Sequence, residues 1–209
     1  MNTTEPPKPV RRRTGGRSAR VREAVLSATV TALAEIGPRG VTMNEIARRA
    51  GVHATSIQRR WGSVEALILD AMLNYSHEHL PIPDTGTLRG DLAAFAGLLL
   101  TYLTSAPGTA LARAMAAAED DPTLTDGRAR FWQTRFRMAR PIIDRAIDRG
   151  ELPTDTDAAF ALELLIAPLH FRQLLTRQPI DHTLIEQTVN LIVRGLGAPA
   201  QEMTAHPMS

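Results

Sequence analysis

The sequence predicts an all-α protein of about nine helices: a small three-helix head carrying a helix-turn-helix, with a larger helical bundle behind it. Three observations predict this. Apolar residues recur three and four apart through most of the chain, the period of a helix face, and never alternate as in a half-buried strand. Residues 41–61, VTMNEIARRAGVHATSIQRRW, read as two short helices about one glycine. Charge also divides after that stretch. Residues 1–62 hold 12 Lys+Arg against 4 Asp+Glu, whereas residues 63–209 hold 12 against 18.

Residues 1–16 carry Pro6, Pro7 and Pro9, then Arg11-Arg12-Arg13 and Gly15-Gly16, which predicts a flexible basic arm. It reads equally as a solvated tail or as a DNA-contacting arm. A head with its connecting helix then occupies 17–80. Its first helix, 18–36, has Val21, Val25, Ala28, Ala32, Leu33 and Ile36 in one stripe, and Gly37-Pro38 ends it. The second opens on a capping box, with Thr42 accepting from the N–H of residue 45 and Glu45 reaching back, while Val41 and Ile46 staple its entry. Gly51 closes it in the left-handed conformation. The third, 54–60, turns Ile57 and Trp61 inward and leaves Thr55, Ser56, Gln58, Arg59 and Arg60 outside. Ser63 caps a fourth helix, 64–79, which Pro81 and Pro83 stop.

The body spans 81–197. Leu88, Leu92, Phe95, Leu99 and Leu103 mark a fifth helix, and Pro107-Gly108 separates it from a sixth at 109–118. Asp120-Asp121-Pro122 starts a long seventh reaching Asp148, with a kink expected at Pro141. The eighth runs from about 157 to 176 with Pro168 inside it. The ninth follows Asp181 as N-cap and ends at Gly195-Leu196-Gly197. Residues 198–209 are expected to be disordered.

Composition limits the function classes. Apolar residues make up 44%, enough for a sizeable core. Without cysteine there is no disulfide framework and no cysteine-based metal site. The opening residues lack the apolar region of a signal peptide, and no apolar run reaches the roughly 20 residues of a membrane span. The expectation is a soluble, cytoplasmic protein without a membrane partner.

A short helix whose outer face is hydroxyl, amide and guanidinium suits the major groove, where Arg reads guanine and Ser, Thr and Gln find matching donors and acceptors. The rival reading is a helical hairpin with a solvated face. His77-Glu78-His79 is not a metal pair on a helix, because residues two apart do not face each other. Glu119-Asp120-Asp121 reads as a helix-boundary turn, and no GxSxG, P-loop or GxGxxG motif occurs. No catalytic set, metal site or cofactor is expected. Phe95, Leu99, Tyr102, Met115, Trp132, Phe136 and His170 come from helices that would enclose a ligand pocket; plain core is the alternative. Leu164, Leu165, Leu169, Leu184, Ile185, Val189 and Ile192 fit a four-helix interface between two copies, or else an internal core.

Thr42, Glu45, Ile46, Ala47, Ala50, Gly51, Val52, Ile57 and Trp61, followed by Ser63, Glu65, Ala66 and Leu67, resemble the TetR family of transcriptional regulators. The body resembles an actinobacterial subgroup through Asp121-Pro122, Phe131-Trp132, Arg149-Gly150-Glu151-Leu152 and Pro168-Leu169-His170-Phe171. The resemblance implies a homodimer, two recognition helices on double-stranded DNA, and a ligand pocket in each body. By position it makes Thr42 a cap that touches phosphate and Thr55, Ser56 and Arg59 the base-edge candidates. Gln58 and Arg60 stand where the family usually has aromatic phosphate contacts. His53 and Ala54 belong to the same contacting stretch, although the family usually has a hydroxyl and a Lys there, and Val64 replaces a common Lys. Arg11, Arg12, Arg13, Arg17 and Arg20 form a compensating basic segment.

The expected function is a repressor released from a palindromic operator by a small-molecule effector. Two rivals are an enzyme or carrier with an incidental hairpin, and a DNA-binding partner protein that senses no small molecule.

Overall fold

Gly16–Ile36 forms α1, followed by a 3-10 turn at Pro38–Gly40 and the short helices α2 (Met43–Ala50) and α3 (Ala54–Trp61). Val64–His79 is α4, the long helix leading from head to body. The body adds α5 (Leu88–Thr104), α6 (Ala106–Ala116), α7 (Pro122–Ala139), α8 (Pro141–Asp148), α9 (Ala158–Phe171) and α10 (His182–Gly197). This computed structural model describes residues 16–116 and 122–197, and among the described residues there is no strand. Arg11, Arg12, Arg13, the Glu119-Asp120-Asp121 turn and the tail 198–209 lie outside them, as does the side chain of Arg17.

The helix starts follow from side-chain oxygens. Ser63 accepts from the N–H of Ala66 at 3.1 Å. Asp157 accepts from Ala159 and Phe160, and Asp181 from Leu184 at 2.9 Å. Each such cap contributes about 1 kcal/mol. Proline sets two boundaries differently from the expectation. Pro107 lies in the first turn of α6, where its missing N–H is no loss, so the helix begins at Ala106 and not at 109. Pro141 does more than kink the long seventh helix. It cannot donate to the preceding turn, and the chain restarts there as a separate α8.

One contiguous core runs through the molecule, from Val25 and Leu33 past Ile46, Ile57 and Leu67 to Leu92, Phe95, Leu111, Ile142 and Leu165. Because α1 packs on α2, α4 and α6 together, the head is seated on the body and not strung on a linker. The segment before α5 is pinned electrostatically. Asp91 is fully buried, and one carboxylate oxygen accepts from the backbone N–H of Thr85 at 2.5 Å and from its hydroxyl at 2.8 Å. Its other oxygen faces Arg145 at 3.6 Å and Arg149 at 3.8 Å.

Six of the seven residues expected at an interface between copies turn inward. Leu165, Leu169, Leu184, Ile185, Val189 and Ile192 are buried in the protomer's own core, and Leu164 alone is exposed. α9 is apolar nearly all round, so spacing does not distinguish its sides, and the apolar stripe of α10 packs on α5 and α9 of its own protomer. The outward side carries Phe160 (52% exposed), Leu164 and Phe171 (53%) on α9, and Leu191 (73%) on α10. Contrary to the expectation, Ala158–Thr176, which is α9 with the π-turn that continues it, has the length and composition of a membrane span. Its inner face is core: Ala161, Leu162, Leu165, Ile166 and Leu169.

Between α5 and α6 the chain bends by 85°. Ser105 joins the two helices, donating to the Tyr102 carbonyl at 2.7 Å and accepting from Gly108 at 3.1 Å. A Cβ on Gly108 would stand 1.8 Å from the Tyr102 carbonyl oxygen, a backbone atom that has no room to withdraw. Gly108→Ala is therefore expected to destabilise the protein by about 1–3 kcal/mol, read as a lower urea midpoint.

Candidate nucleic-acid interface and body cavity

The head presents α3. Thr42 caps α2 by accepting from the Glu45 N–H at 3.2 Å, and Gly51 ends α2 at φ 66°, a left-handed turn suited to glycine. The expected return bond from Glu45 to Thr42 is replaced. The Glu45 carboxylate accepts from Arg48 at 2.7 and 3.0 Å and from Arg49 at 2.6 Å, and Arg49 also pairs with Glu35 of α1 at 2.5 Å. Hydrogen bonds from these two arginines hold the Glu45 carboxyl at about 2, below its ordinary 4.5. Both basic side chains of the last turn bond to Glu45 of their own helix, and Arg49 also clamps α2 onto α1 through Glu35.

Ile57 is buried and Trp61 half-buried, so α3 shows the solvent Thr55, Ser56, Gln58, Arg59 and Arg60, with His53 exposed just before it and Ala54 half-buried. His53 makes no side-chain cap. The two positions that replace the family's aromatic contacts are engaged locally. Gln58 donates to the Gly62 carbonyl at the end of its own helix. Arg60 lies over the Trp61 ring at 5.2 Å, with its guanidinium 3.5 Å from the Ser18 hydroxyl of α1. Arg20 and Thr42 are also exposed.

A carboxylate on α4 fixes the far end of α3. Asp70 accepts from the Trp61 indole N–H at 2.9 Å through one oxygen and from Arg22 of α1 at 2.5 Å through the other. Arg22 continues to Asn74 at 3.2 Å, which in turn donates to Glu78 at 2.7 Å.

Further along α4, Met72 and Ser76, with Leu80 at the C-cap, form one wall of a cavity of about 560 Å³ inside the body. All seven residues named for a pocket line it: Phe95, Leu99, Tyr102, Met115, Trp132, Phe136 and His170. Trp132 meets His170 edge to face at 5.4 Å. His170 Nδ1 lies 3.2 Å from the Ile166 carbonyl, which only accepts, so this nitrogen carries the proton. Burial lowers its pKa, so the ring is neutral and Nε2 keeps its lone pair. Arg128, Arg135 and Glu163 also line the space, and the sequence reading missed all three. Arg135 carried a signal: it stands four residues after Phe131 and four before Ala139, on the buried side of α7. Elsewhere, His79 stacks on Tyr75 at 3.9 Å, and among the described residues no group of His, Asp or Glu forms a metal cluster.

Residues 25–71 match the family model for bacterial regulatory proteins of the tetR family, and residues 82–192 match that for the tetracyclin repressor-like C-terminal domain. The chain belongs to the TetR family of transcriptional regulators. The HTH-type transcriptional regulator AqdR of Rhodococcus erythropolis is 37% identical over 179 residues, covering 86% of each chain. The HTH-type regulator YdeS of Bacillus subtilis is 32% identical over 177 residues, 84% of this chain and 89% of its own. Among solved structures, the TetR family regulator SCO0332 superposes with a TM-score of 0.74 at 27% identity, covering 86% of this chain and 99% of that one. A TetR regulator from Agrobacterium tumefaciens gives 0.65 at 27% identity over 84% and 94%. TetR regulators bind DNA and act as dimers, and the matched families and relatives are regulators, not enzymes. This chain is thus a DNA-binding transcriptional regulator.

Glu45 also gives the head a pH signature. Its folded pKa lies below the ordinary value, so its arginine contacts stabilise the fold above pH 4.5 and are lost as pH falls toward 2. A Glu45→Gln variant should unfold at a lower temperature than the parent near pH 7. Melts at stepped pH should show that gap closing between 4.5 and 2.

Proposed function

We propose that this TetR regulator is a repressor, released from an imperfectly palindromic operator by a small molecule bound in the body cavity. The observation that carries the reading is the route along α4. Asp70 holds the recognition helix through Trp61, while Met72 and Ser76 of the same helix, with Leu80 at its C-cap, wall the cavity. A ligand that fills the cavity and favours a different placement of α4 shifts the head with it. A tenfold release requires only about 1.4 kcal/mol of differential affinity.

The division of labour assigns residues 17–80 to DNA binding and 81–197 to ligand binding and dimerisation, with 1–16 as a basic arm, in a cytoplasmic protein. Thr55, Ser56 and Arg59 face base edges. Thr42, His53, Gln58, Arg60 and Arg20 serve the phosphates, with Arg11, Arg12, Arg13 and Arg17 adding charge. Two copies join through the exposed apolar side of α9 and α10, and this sets the recognition helices about 34 Å apart, one turn of DNA. Phe160, Leu164, Phe171 and Leu191 support this placement, because such large apolar side chains in the open are the kind a partner covers.

Selecting bound fragments from random DNA, then screening compounds that release them, tests the reading as a whole. A selection that yields no palindrome overturns it. On the selected operator, Arg59→Ala should lower affinity by about 1–3 kcal/mol and relax the base preference, measured by fluorescence anisotropy across operator variants. Arg60→Ala should weaken every sequence alike and flatten the salt dependence. A Phe160→Glu, Phe171→Glu double variant should sediment as a monomer and lose operator binding.

A further inference from the structure

The cavity holds a charge that no described residue neutralises. Arg135 is only 6% exposed, yet no carboxylate lies within ion-pair distance of it among the described residues. Among the described residues its close polar contact is weak, the Met138 sulfur at 3.9 Å. Burying an unpaired guanidinium is expensive, because it loses water without gaining an acceptor. Burial accordingly lowers its pKa, although a guanidinium stays charged at any physiological pH.

The other groups facing the space do not supply the missing anion. Tyr102 is buried, and desolvation raises its pKa, which keeps the phenol neutral and leaves its hydroxyl as a donor. His170 is a neutral acceptor. Glu163 lines the cavity from an exposed position, and Arg128, itself partnered, is a further cation and not an anion. Ser76 spends its hydroxyl proton on the Leu73 carbonyl, and the remaining walls are apolar or aromatic, among them Phe95, Leu99, Phe131, Trp132, Phe136 and Leu174. At about 560 Å³, the volume suits a small organic molecule.

We propose that the cavity selects an amphipathic acid: a largely apolar, ring- or chain-bearing body with one carboxylate seated on Arg135. The fork of guanidinium N–H groups matches a carboxylate bidentately, and the low-dielectric walls strengthen that pair. Tyr102 is the neutral donor nearby; the Arg135 charge already acts on its hydroxyl. This proposal rests on the reading of the cavity as the effector site. It adds that the acid group, and not apolar bulk alone, decides which molecules enter.

The test uses the full-length protein and the neutral fluorophore N-phenyl-1-naphthylamine as reporter of cavity occupancy. Displacement is compared for matched pairs, 2-naphthoic acid against 2-naphthamide and decanoate against decanamide. The acids should displace the reporter at concentrations at least roughly tenfold below the amides, a preference of about 1.4 kcal/mol or more. In Arg135→Met, which keeps an unbranched apolar stem without the guanidinium, that preference should vanish, and in Arg135→Lys it should survive in part. Acids and amides displacing equally from the unmodified protein would overturn the acid assignment while leaving the cavity as a ligand site. A preference that persists in Arg135→Met would overturn the role of Arg135. Failure of the reporter to bind the unmodified protein would sink the effector-site reading itself, and the acid proposal with it. The unmodified protein's acid–amide comparison decides the matter even if the methionine variant does not fold.

Discussion

The placement of the recognition helix depends on the carboxylate of Asp70. Three helices meet on its two oxygens: α3 through the Trp61 indole, α1 through the Arg22 guanidinium, and α4, which carries the aspartate itself. Apolar contacts through Ile57 keep α3 against the head, but contacts of that kind are non-directional. The two hydrogen bonds are directional, and the one from Arg22 is charge-assisted, so they fix rotation as well as distance. The outer residues of α3 face the solvent as a set because Trp61 cannot turn without breaking that junction.

The body is built around the opposite condition. Where the head satisfies its charges locally, with Glu45 taking Arg48 and Arg49 and Glu35 taking Arg49, the cavity leaves Arg135 without a counter-charge among the described residues. The contrast with Asp91 is instructive. That carboxylate is buried more deeply than Arg135, yet Thr85 satisfies one oxygen and two arginines face the other. Two buried charges in one domain thus have different status: one is part of the scaffold, and the other faces open space.

Much of this was readable before any coordinates. The caps at Thr42, Ser63 and Asp181 and the left-handed Gly51 follow from local chemistry, which depends on a few neighbouring residues. The cavity walls were legible too, because Phe95, Leu99 and Tyr102 share one side of α5 as Trp132 and Phe136 share one side of α7. What failed was the distinction between the two sides of a helix that is apolar all round. Leu165 and Leu169 look no different in sequence from Leu164, yet only Leu164 reaches the surface. Arg135 was overlooked because a basic residue inside an apolar stripe reads as a surface position. Glu45 was half right: its hydrogen-bonding partners are side chains one turn on, a competition that the capping pattern does not register.

The single core that joins head and body has a mechanical consequence. About 15 Å of straight helix lies between Leu80 at the cavity and Asp70 at the junction. A tilt of α4 by about 5° at its lower end would therefore carry the aspartate through roughly 1.3 Å at that helical rise. Such a movement is slight for the packed side chains of the bundle, but it is nearly half the length of the bond to Trp61. The scaffold thus works as a lever arm, turning an adjustment that the interior tolerates into one that a directional contact does not.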